Sequence, residues 1–442
     1  MKLTLVKPKL GHSADGSYRD KAVMEPLALA IVAALTPPDV EVAFHDERVE
    51  PIPFDAQTDL VALTVETFTA KRSYEISAEY RKRGVPVILG GYHPTHLPEE
   101  AGLHADSVYL GDAEDLWSEV IRDARTGALQ PRYRARTGML QRGVLPRRDI
   151  FKGKKYLPIT LVQFSRGCSF DCSFCSVSTF YERTFFHRPV REVIDEIERQ
   201  ERSLILFVDD NIVMNHQVAK ELFRDLPPLG IKWFSEGDIN MSNDRELMGL
   251  MVRSGCKGHL IGFESVEEAS LRAMRKHPNL SRFSRYREQL EVLRDHGLLL
   301  WAAFTLGHEH DTKETFERTL EFCMEQKFAL ADFNVLMPYP NTPLYRQLEE
   351  ECRLLFDGAW WLHPDFRFGK SAFLPHNMTP EELSEGCYRA RREYFKIRNI
   401  ARRAFDLKTN MGSFFNAWIY VLVNSLSYND GLKKQDILLG GG

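Results

Sequence analysis

The sequence predicts an α/β protein with a doubly wound parallel sheet, followed by a partial (β/α)6 barrel and a helical C-terminal extension. Two stretches in which short apolar strands alternate with amphipathic helices support this prediction, because such alternation is typical of parallel sheets with right-handed crossovers. The length of 442 residues is about three times that of a common domain, and 43% of the residues are apolar, so the chain can fill several cores.

The first stretch has the pattern of a Rossmann-like sheet. The predicted strands are Lys2–Val6, Glu41–His45, Leu60–Val65, Val85–Leu89 and Ser107–Leu110, and the predicted helices include Glu25–Leu35 and Ala70–Arg83. Residues 1–135 therefore form the first predicted domain. Arginines and prolines crowd the residues that follow, with little periodicity, so residues 136–155 are predicted to be a solvated linker.

The second stretch, residues 156–345, repeats a strand–helix unit six times. The predicted strands are Thr160–Phe164, Leu204–Val208, Lys232–Ser235, Gly258–Gly262, Leu299–Thr305 and Asp332–Leu336. Six units give an incomplete barrel, in which chemistry is expected at the C-terminal ends of the strands. Residues 346–442 form the helical extension, a cap or substrate region.

Composition excludes several classes of protein. Lys and Arg number 58 against 62 Asp and Glu, a net charge of −4, so a dedicated nucleic-acid binder is not expected. Seven cysteines, an odd count, make a disulfide scaffold improbable. No apolar run near the start is long enough for a signal peptide and none elsewhere is long enough to span a bilayer, so a cytoplasmic protein is expected.

Three cysteines follow directly after the first predicted barrel strand. Cys168, Cys172 and Cys175 have Cys-x3-Cys-x2-Cys spacing, and no fourth cysteine lies nearby. Thiolates are ligands typical of iron–sulfur clusters, and a short loop can place three of them on three corners of a [4Fe–4S] cube. One iron then lacks a thiolate and stays open to another ligand. A zinc site and three unrelated thiols are the alternatives, although structural zinc sites usually bring a second pair of ligands, which is missing here.

This spacing in this context resembles the signature of radical S-adenosylmethionine enzymes, and so do Phe207–Asn211, Gly262–Ser265 and Pro338–Pro343. The resemblance implies that S-adenosylmethionine binds the open iron and is cleaved to a 5′-deoxyadenosyl radical. It also implies an external electron donor of the flavodoxin or ferredoxin kind. By position in the barrel, the residues expected to bind S-adenosylmethionine are Phe174, Asp209, Asp210, Asn211, Glu236, Glu264, Gly307 and Met337. For each of these eight, barrel packing or loop capping is the alternative.

The N-terminal domain lacks the Gly-x-Gly-x-x-Gly motif of dinucleotide-binding proteins, and its paired glycines instead follow the fourth strand. Leu60–Thr69, Gly90–Pro94 and Tyr109–Glu114 resemble the cobalamin-binding domain of class B radical S-adenosylmethionine methylases. The resemblance implies that cobalamin contacts Val65, Glu66, Thr67, Phe68, Gly90, Gly91, Tyr92, His93 and Gly111. The Asp-x-His-x-x-Gly motif of histidine-ligated cobalamin proteins is absent, so no histidine ligand is assigned, and a domain that binds no corrin is the alternative.

The C-terminal extension combines positive charge with an apolar run. Seven basic residues fall on one predicted helix: Arg389, Arg391, Arg392, Lys396, Arg398, Arg402 and Arg403. The run Phe414–Val423 is too short to span a bilayer, which needs about 20 residues. A helical cap that closes the open side of the barrel is the favoured interpretation. A peripheral contact with a membrane, or a lid over a lipid or anionic substrate, is the alternative.

The activity that the resemblance favours is cobalamin-dependent methylation of an unactivated carbon in a small-molecule or lipid substrate. A rearrangement, cyclisation or ring contraction within the same family is one alternative. A non-catalytic iron–sulfur sensor or scaffold is another. The sequence does not identify the substrate, since fold analogy does not choose between substrate classes.

Overall fold

A computed structural model describes residues 1–13, 18, 20, 22–138, 140 and 143–441. Its first sheet has the order β3-β1-β4-β5-β6-β7, and all its strands are parallel. The strands of this region are β1 Lys2–Lys7, β2 Gly11–His12, β3 Glu41–Asp46, β4 Leu60–Thr64, β5 Val87–Gly90, β6 Ser107–Leu110 and β7 Arg132–Arg134, of which β2 lies outside the sheet. The order reverses between β1 and β4, where ligands bind in open α/β sheets. The predicted Rossmann-like sheet is confirmed.

Five helices accompany this sheet. They are α1 Leu27–Leu35, α2 Ala70–Lys82, α3 Tyr92–His96, α4 Pro98–Leu103 and α5 Ala113–Arg125. One buried apolar cluster joins Leu3, Leu5 and Ala62 to Leu29 and Trp117, on α1 and α5. Apolar side chains fill both faces of the strands, as a doubly covered parallel sheet requires.

The second sheet is the predicted partial barrel, with the order β15-β14-β13-β12-β11-β8 and parallel pairing throughout. Its strands, with the small hairpin β9–β10 beside it, are β8 Thr160–Val162, β9 Ser165–Arg166, β10 Phe186–His187, β11 Leu204–Phe207, β12 Lys232–Gly237, β13 Cys256–Glu264, β14 Leu299–Leu306 and β15 Leu330–Val335. The α-helices of this region are α6 Ser176–Phe180, α7 Val190–Glu198, α8 His216–Asp225, α9 Arg245–Arg253, α10 Glu268–Ala273, α11 His277–Leu280, α12 Tyr286–Asp295 and α13 Lys313–Glu325. The prediction of six barrel strands is confirmed.

The C-terminal extension contains helices and a last short strand. They are α14 Pro343–Glu350, α15 Pro380–Tyr394, α16 Ile397–Ala404, α17 Phe414–Lys433 and β16 Leu438–Leu439. The single basic helix of the sequence analysis is in fact two, because Lys396 has an extended ψ of 139° between α15 and α16. β16 pairs with β2, so the end of the chain returns to the first domain.

The segment that the sequence analysis assigned to a solvated linker is packed where the structure describes it; residues 139, 141 and 142 lie outside the described residues. Phe151 is buried, with its ring edge against Phe44 at 5.5 Å. The guanidinium of Arg148 contacts Glu196 at 2.7 Å and Glu25 at 3.6 Å. The segment therefore ties the two sheets together.

Arg403 on α16 is fully buried. Its guanidinium lies 3.5 Å from the ring centroid of Tyr394 and donates to the Tyr394 carbonyl at 2.7 Å and to the Asn424 side chain at 2.8 Å. The Asn424 amide in turn donates to the Ala329 carbonyl. One buried cation thus fastens α15, α16 and α17 to the barrel.

Arg403→Ala is therefore expected to lower the free energy of unfolding by about 3 kcal/mol, because it leaves a cavity and an unsatisfied amide. The neighbouring Arg402 is exposed and makes no hydrogen bond in the described part of the chain. Arg402→Ala is the matched control and should change stability by less than about 0.5 kcal/mol. Urea unfolding followed by near-ultraviolet circular dichroism measures both; equal midpoints would contradict the role of Arg403.

Candidate active site

The cysteine loop begins where β8 ends, and two carboxylates of the neighbouring strand hold it. Asp209 is 1% exposed and accepts hydrogen bonds from the amides of Phe164 and Ser165 and from the Ser165 hydroxyl. Asp210 accepts from the Gly167 amide at 2.7 Å. Gly167 has a φ of +80°, and a Cβ there would stand 2.1 Å from the Thr184 carbonyl oxygen, so only glycine fits.

The three cysteines of the loop are free thiols, with Cys172 buried and Cys168 and Cys175 partly exposed. Burial raises the pKa of Cys168 to about 12 and that of Cys172 to about 11, while the ammonium group of Lys276 opposes the shift at both. In the part of the chain that the structure describes, no three Cys, His, Asp or Glu side chains converge on one ion position.

Asp209, Asp210 and Asn211, which follow β11, mainly form hydrogen bonds with nearby loops of the protein. Both oxygens of Asp209 are occupied by the loop, and the Asn211 side chain donates to Asp238 at 2.8 Å and accepts from the Val213 amide. These contacts give Asp209 and Asn211 positioning roles. Asp210 keeps one oxygen without a hydrogen bond among the described residues and is the member of the three best placed to meet a ligand.

Glu236 lies near the C-terminal end of β12. Its side chain has a solvent-exposed surface, but its carboxylate is in a recess formed by the surrounding protein. Burial together with the charges of Asp210 and Glu264 raises its pKa to about 7. Glu264 ends β13 with a φ of +65°, accepts from the ammonium of Lys276 at 2.8 Å and accepts from the Thr305 hydroxyl at 3.3 Å. The barrel interior therefore holds three carboxylates against one lysine.

The lysine is Lys276, which the sequence analysis missed. Burial works against its charge, but the Glu264 carboxylate and the neighbouring Cys172 thiol raise its pKa above the usual value. It also lies 5.9 Å from the ring centroid of Phe174. No motif marked Lys276, because it stands twelve residues beyond Glu264 on the turn between α10 and α11.

The remaining residues predicted to bind S-adenosylmethionine surround the same interior. Phe174 packs edge-on against His308, with ring centroids 6.0 Å apart. Gly307 has a φ of +109°, and a Cβ there would meet Leu383 of α15 at 2.5 Å. Met337 is partly buried between the barrel core and that of the first domain. His308, which the sequence analysis also missed, is buried, and burial lowers its pKa.

A cavity of about 330 Å³ runs from the C-terminal edge of the first sheet to the cysteine loop. Its inner part is apolar, between α1 and the strands. Six residues predicted to contact cobalamin line it: Val65, Glu66, Gly90, Gly91, Tyr92 and Gly111. Gly91 has a φ of +111°, and a Cβ there would stand 2.9 Å from the Val65 carbonyl oxygen. Gly111, with a φ of +87°, approaches the Ala135 carbonyl in the same way.

Thr67, Phe68 and His93 lie outside the lining of this cavity. His93 is fully buried, and its Nε2 lies 3.0 Å from a Glu100 oxygen and 3.1 Å from the Tyr74 hydroxyl. The structure thus uses His93 to order the first domain. Phe68 packs against Trp360 of the extension, with ring centroids 4.9 Å apart.

Arg166 joins the cysteine loop to the first domain. It is nearly buried, and its guanidinium contacts Glu114 at 2.7 Å and Asp112 at 3.4 Å. Burial raises the pKa of Asp112 to about 6, although Arg166 opposes the shift. Arg166 also lines the cavity. Its ion pair with Glu114 therefore holds the cysteine loop against the first domain at the cavity wall.

Residues 162–323 match the family model of the Radical SAM superfamily. The chain is 31% identical over 428 residues to the bacteriochlorophyllide d C-12(1)-methyltransferase of Chlorobaculum tepidum, covering 94% of this chain and 92% of that one. It is 27% identical over 381 residues to the hopanoid C-2 methylase of Rhodopseudomonas palustris, covering 80% and 69%. Among solved structures, OxsB, a cobalamin-dependent radical enzyme, superposes with a TM-score of 0.68 at 15% identity, covering 100% of this chain and 77% of that one.

The thiol loop on a partial barrel defines the class: this is a radical S-adenosylmethionine enzyme, whose cofactors are a [4Fe–4S] cluster and S-adenosylmethionine. The chain belongs to the Radical SAM superfamily and, within it, groups with the class B methyltransferases.

Binding of S-adenosylmethionine is expected to tighten about tenfold between pH 6 and pH 8, because Glu236, with a pKa of about 7, becomes a carboxylate that attracts the ligand's ammonium group. Glu236→Gln should flatten this dependence. Equilibrium dialysis with the cluster-loaded enzyme measures the affinity. Exposed Glu221 provides the control, since Glu221→Gln should keep the wild-type slope; a slope unchanged in Glu236→Gln would exclude Glu236 from the binding site.

Proposed function

We propose that this enzyme is a cobalamin-dependent C-methyltransferase that adds a methyl group to an unactivated carbon of a large, planar, apolar substrate of the bacteriochlorophyllide type. The observation that carries the proposal is that one cavity joins the two domains. Its lining includes Gly90, Gly91 and Gly111 at the edge of the first sheet and Arg166 beside the cysteine loop. Cobalamin bound at the edge of the first sheet would there face S-adenosylmethionine bound at the cluster.

The inner part of the cavity suits the nucleotide tail of a corrin. Leu29, Val32, Ala62 and Ile88 form an apolar slot between α1 and the sheet, of the kind that takes a flat aromatic base. Gly90, Gly91 and Gly111 line the cavity, and their bare backbone leaves room for a bulky ligand to approach; at Gly91 and Gly111 a side chain would collide with the backbone of Val65 or Ala135. The residues present therefore fit cobalamin.

Cys168, Cys172 and Cys175 would hold the cluster, and Asp210, Glu236 and Glu264 would surround S-adenosylmethionine. When bound, the cluster supplies the electron that splits S-adenosylmethionine, and the corrin supplies the methyl group. The chain's own residues position and shield these groups. Tyr92 and Phe180 pack with ring centroids 4.5 Å apart beside the cavity and exclude water from it.

Aromatic side chains support the substrate class. Tyr339 follows β15 and lies close enough to both Glu66 and Cys175 for their charges, together with burial, to raise its pKa. Phe68 packs edge-on against Tyr339, with ring centroids 6.1 Å apart. Aromatic side chains of this kind are suited to stacking against a planar ring system. The bacteriochlorophyllide methyltransferase relative, which matches almost the whole chain, points the same way.

The proposal includes an external one-electron donor and a reducing compartment. All seven cysteines are free thiols in the structure, as a cytoplasmic setting would keep them. Among the described residues, no helix is long and apolar enough to cross a membrane.

Ala28→Trp should weaken hydroxocobalamin binding about tenfold or more, because the exposed Ala28 stands at the cavity mouth and an indole would block it. Absorbance titration under anaerobic conditions measures the affinity. Ala128→Trp, on an exposed turn away from the cavity, should bind as the wild type does. Cys175→Ala should keep the corrin and lose the cluster absorption. A wild-type chain that binds a cluster but no corrin would overturn the cobalamin assignment alone.

Turnover of bacteriochlorophyllide d with S-adenosylmethionine, cobalamin and a chemical reductant is expected to give a product heavier by one CH2, together with 5′-deoxyadenosine. Mass spectrometry of the product decides the reaction type. An isomer, or a product lighter by two hydrogens, would replace methylation with rearrangement or cyclisation. Cys172→Ala should form neither product nor 5′-deoxyadenosine, since the cluster loses one of its three ligands.

A further inference from the structure

The C-terminal extension exposes apolar side chains on a scale found nowhere else in the described part of the chain. Thirteen large hydrophobic side chains are exposed in the described part of the chain, and eight of them lie between residues 397 and 428. The C-terminal apolar face is defined here by six of them: Ile397 (84% exposed), Phe405 (80%), Leu407 (84%), Phe414 (91%), Trp418 (48%) and Val421 (61%). Large apolar side chains that are exposed in such number within one segment mark a site of association.

The face is amphipathic. On α17, Phe414, Trp418 and Val421 recur at intervals of four and three residues and point outward, while Ile419 and Tyr420 are buried. The helix is therefore half core and half surface. The run Phe414–Val423, interpreted from the sequence as part of a helical cap, is therefore only partly buried.

The two helices that carry the face are fixed to each other. The Tyr420 hydroxyl donates to the Ile400 carbonyl at 2.6 Å, and Arg403 donates to Asn424 at 2.8 Å. Their inner residues pack on Leu299 and Ala329, which stand at the N-terminal ends of the last two barrel strands. The exposed face is thus a built surface, and it lies at the end of the barrel opposite the cysteine loop.

Uncompensated positive charge accompanies the face. Arg392 and Arg402 are exposed and form no ion pair within the described residues, whereas Lys396 and Arg398 are both paired with Glu393. Arg402 shares its helix with Ile397 and precedes Phe405 by less than one turn. Arg392 lies on the preceding helix, α15. Exposed apolar side chains together with unpaired arginines are the combination that binds an anionic bilayer surface.

We propose that the C-terminal apolar face docks the enzyme on the surface of an anionic lipid membrane, independently of the methyl transfer proposed above. A second copy of the chain fits less well, because a twofold contact would bring the unpaired arginines of both copies into one interface. Docking at this end of the barrel leaves the cofactor edge uncovered. The buried Asn416 and Asn424 keep the inner side of α17 on the protein, so the helix lies on the bilayer.

The test uses the full chain and sucrose-loaded vesicles of phosphatidylcholine, with and without phosphatidylglycerol. The wild type should sediment with the anionic vesicles and much less with the neutral ones. Phe414→Ser combined with Trp418→Ser should lower the partition coefficient about tenfold. Arg392→Glu combined with Arg402→Glu should lower the partition coefficient on anionic vesicles, by about fivefold for each positive charge removed. Activity on a detergent-solubilised substrate should stay at the wild-type level in both variants.

Matched controls change exposed residues of the same type elsewhere. Leu103→Ser, at a side chain 77% exposed in the first domain, and Arg245→Glu, at an exposed and unpaired arginine, should sediment as the wild type does. The proposal would be overturned if the wild type did not sediment with anionic vesicles. It would also be overturned if the variants of the C-terminal apolar face bound the vesicles as tightly as these controls. A dimer that the Phe414→Ser and Trp418→Ser changes dissociate, without vesicle binding, would assign the face to self-association instead.

Discussion

The amide groups that open the cysteine loop are buried and need acceptors, and two adjacent carboxylates at the end of β11 are the acceptors that they have. This constraint fixes the loop. Burial raises the pKa of Asp209 to about 7, although the hydrogen bonds from Phe164 and Ser165 act to lower it. Because backbone and hydroxyl donors use both its oxygens, Asp209 anchors the loop while Asp210 faces the interior. The direction of the three thiols follows from this anchoring.

Charge in the barrel interior is unbalanced in a way that matches its ligand. Asp210, Glu236 and Glu264 face one another across the strand ends, and Lys276 neutralises only Glu264 directly. The cost of this crowding appears in the pKa of Glu236, raised to about 7. A cationic ligand relieves it, and S-adenosylmethionine carries both an ammonium and a sulfonium group. The mutual repulsion of the three carboxylates is therefore expected to favour binding of S-adenosylmethionine, because the positive charges of the ligand reduce it.

The fold could be predicted from the sequence because each strand is a short apolar run followed by an amphipathic helix, and local patterns of this kind survive in the structure. The cysteine loop could be predicted because its spacing is local too. Lys276, His308 and Arg166 could not, since they contact Glu264, Phe174 and Glu114, which lie on other elements or in another domain, and no sequence interval encodes such a contact. His93 shows the opposite case: its position after the paired glycines predicted a cofactor contact, yet the side chain turns inward to Glu100.

The C-terminal extension fixes the relative position of the two domains together with the packed segment between them. Trp361 donates to Glu100, which also contacts His93, so the extension is bonded into the first domain behind the glycine edge. β16 pairs with β2, and Leu383 fills the space that Gly307 leaves at the barrel edge. A chain tethered only by a linker could vary the gap between corrin edge and cluster. Here packed contacts on both domains hold the two sides of the site in place, as a reaction whose reacting groups must be positioned against each other requires.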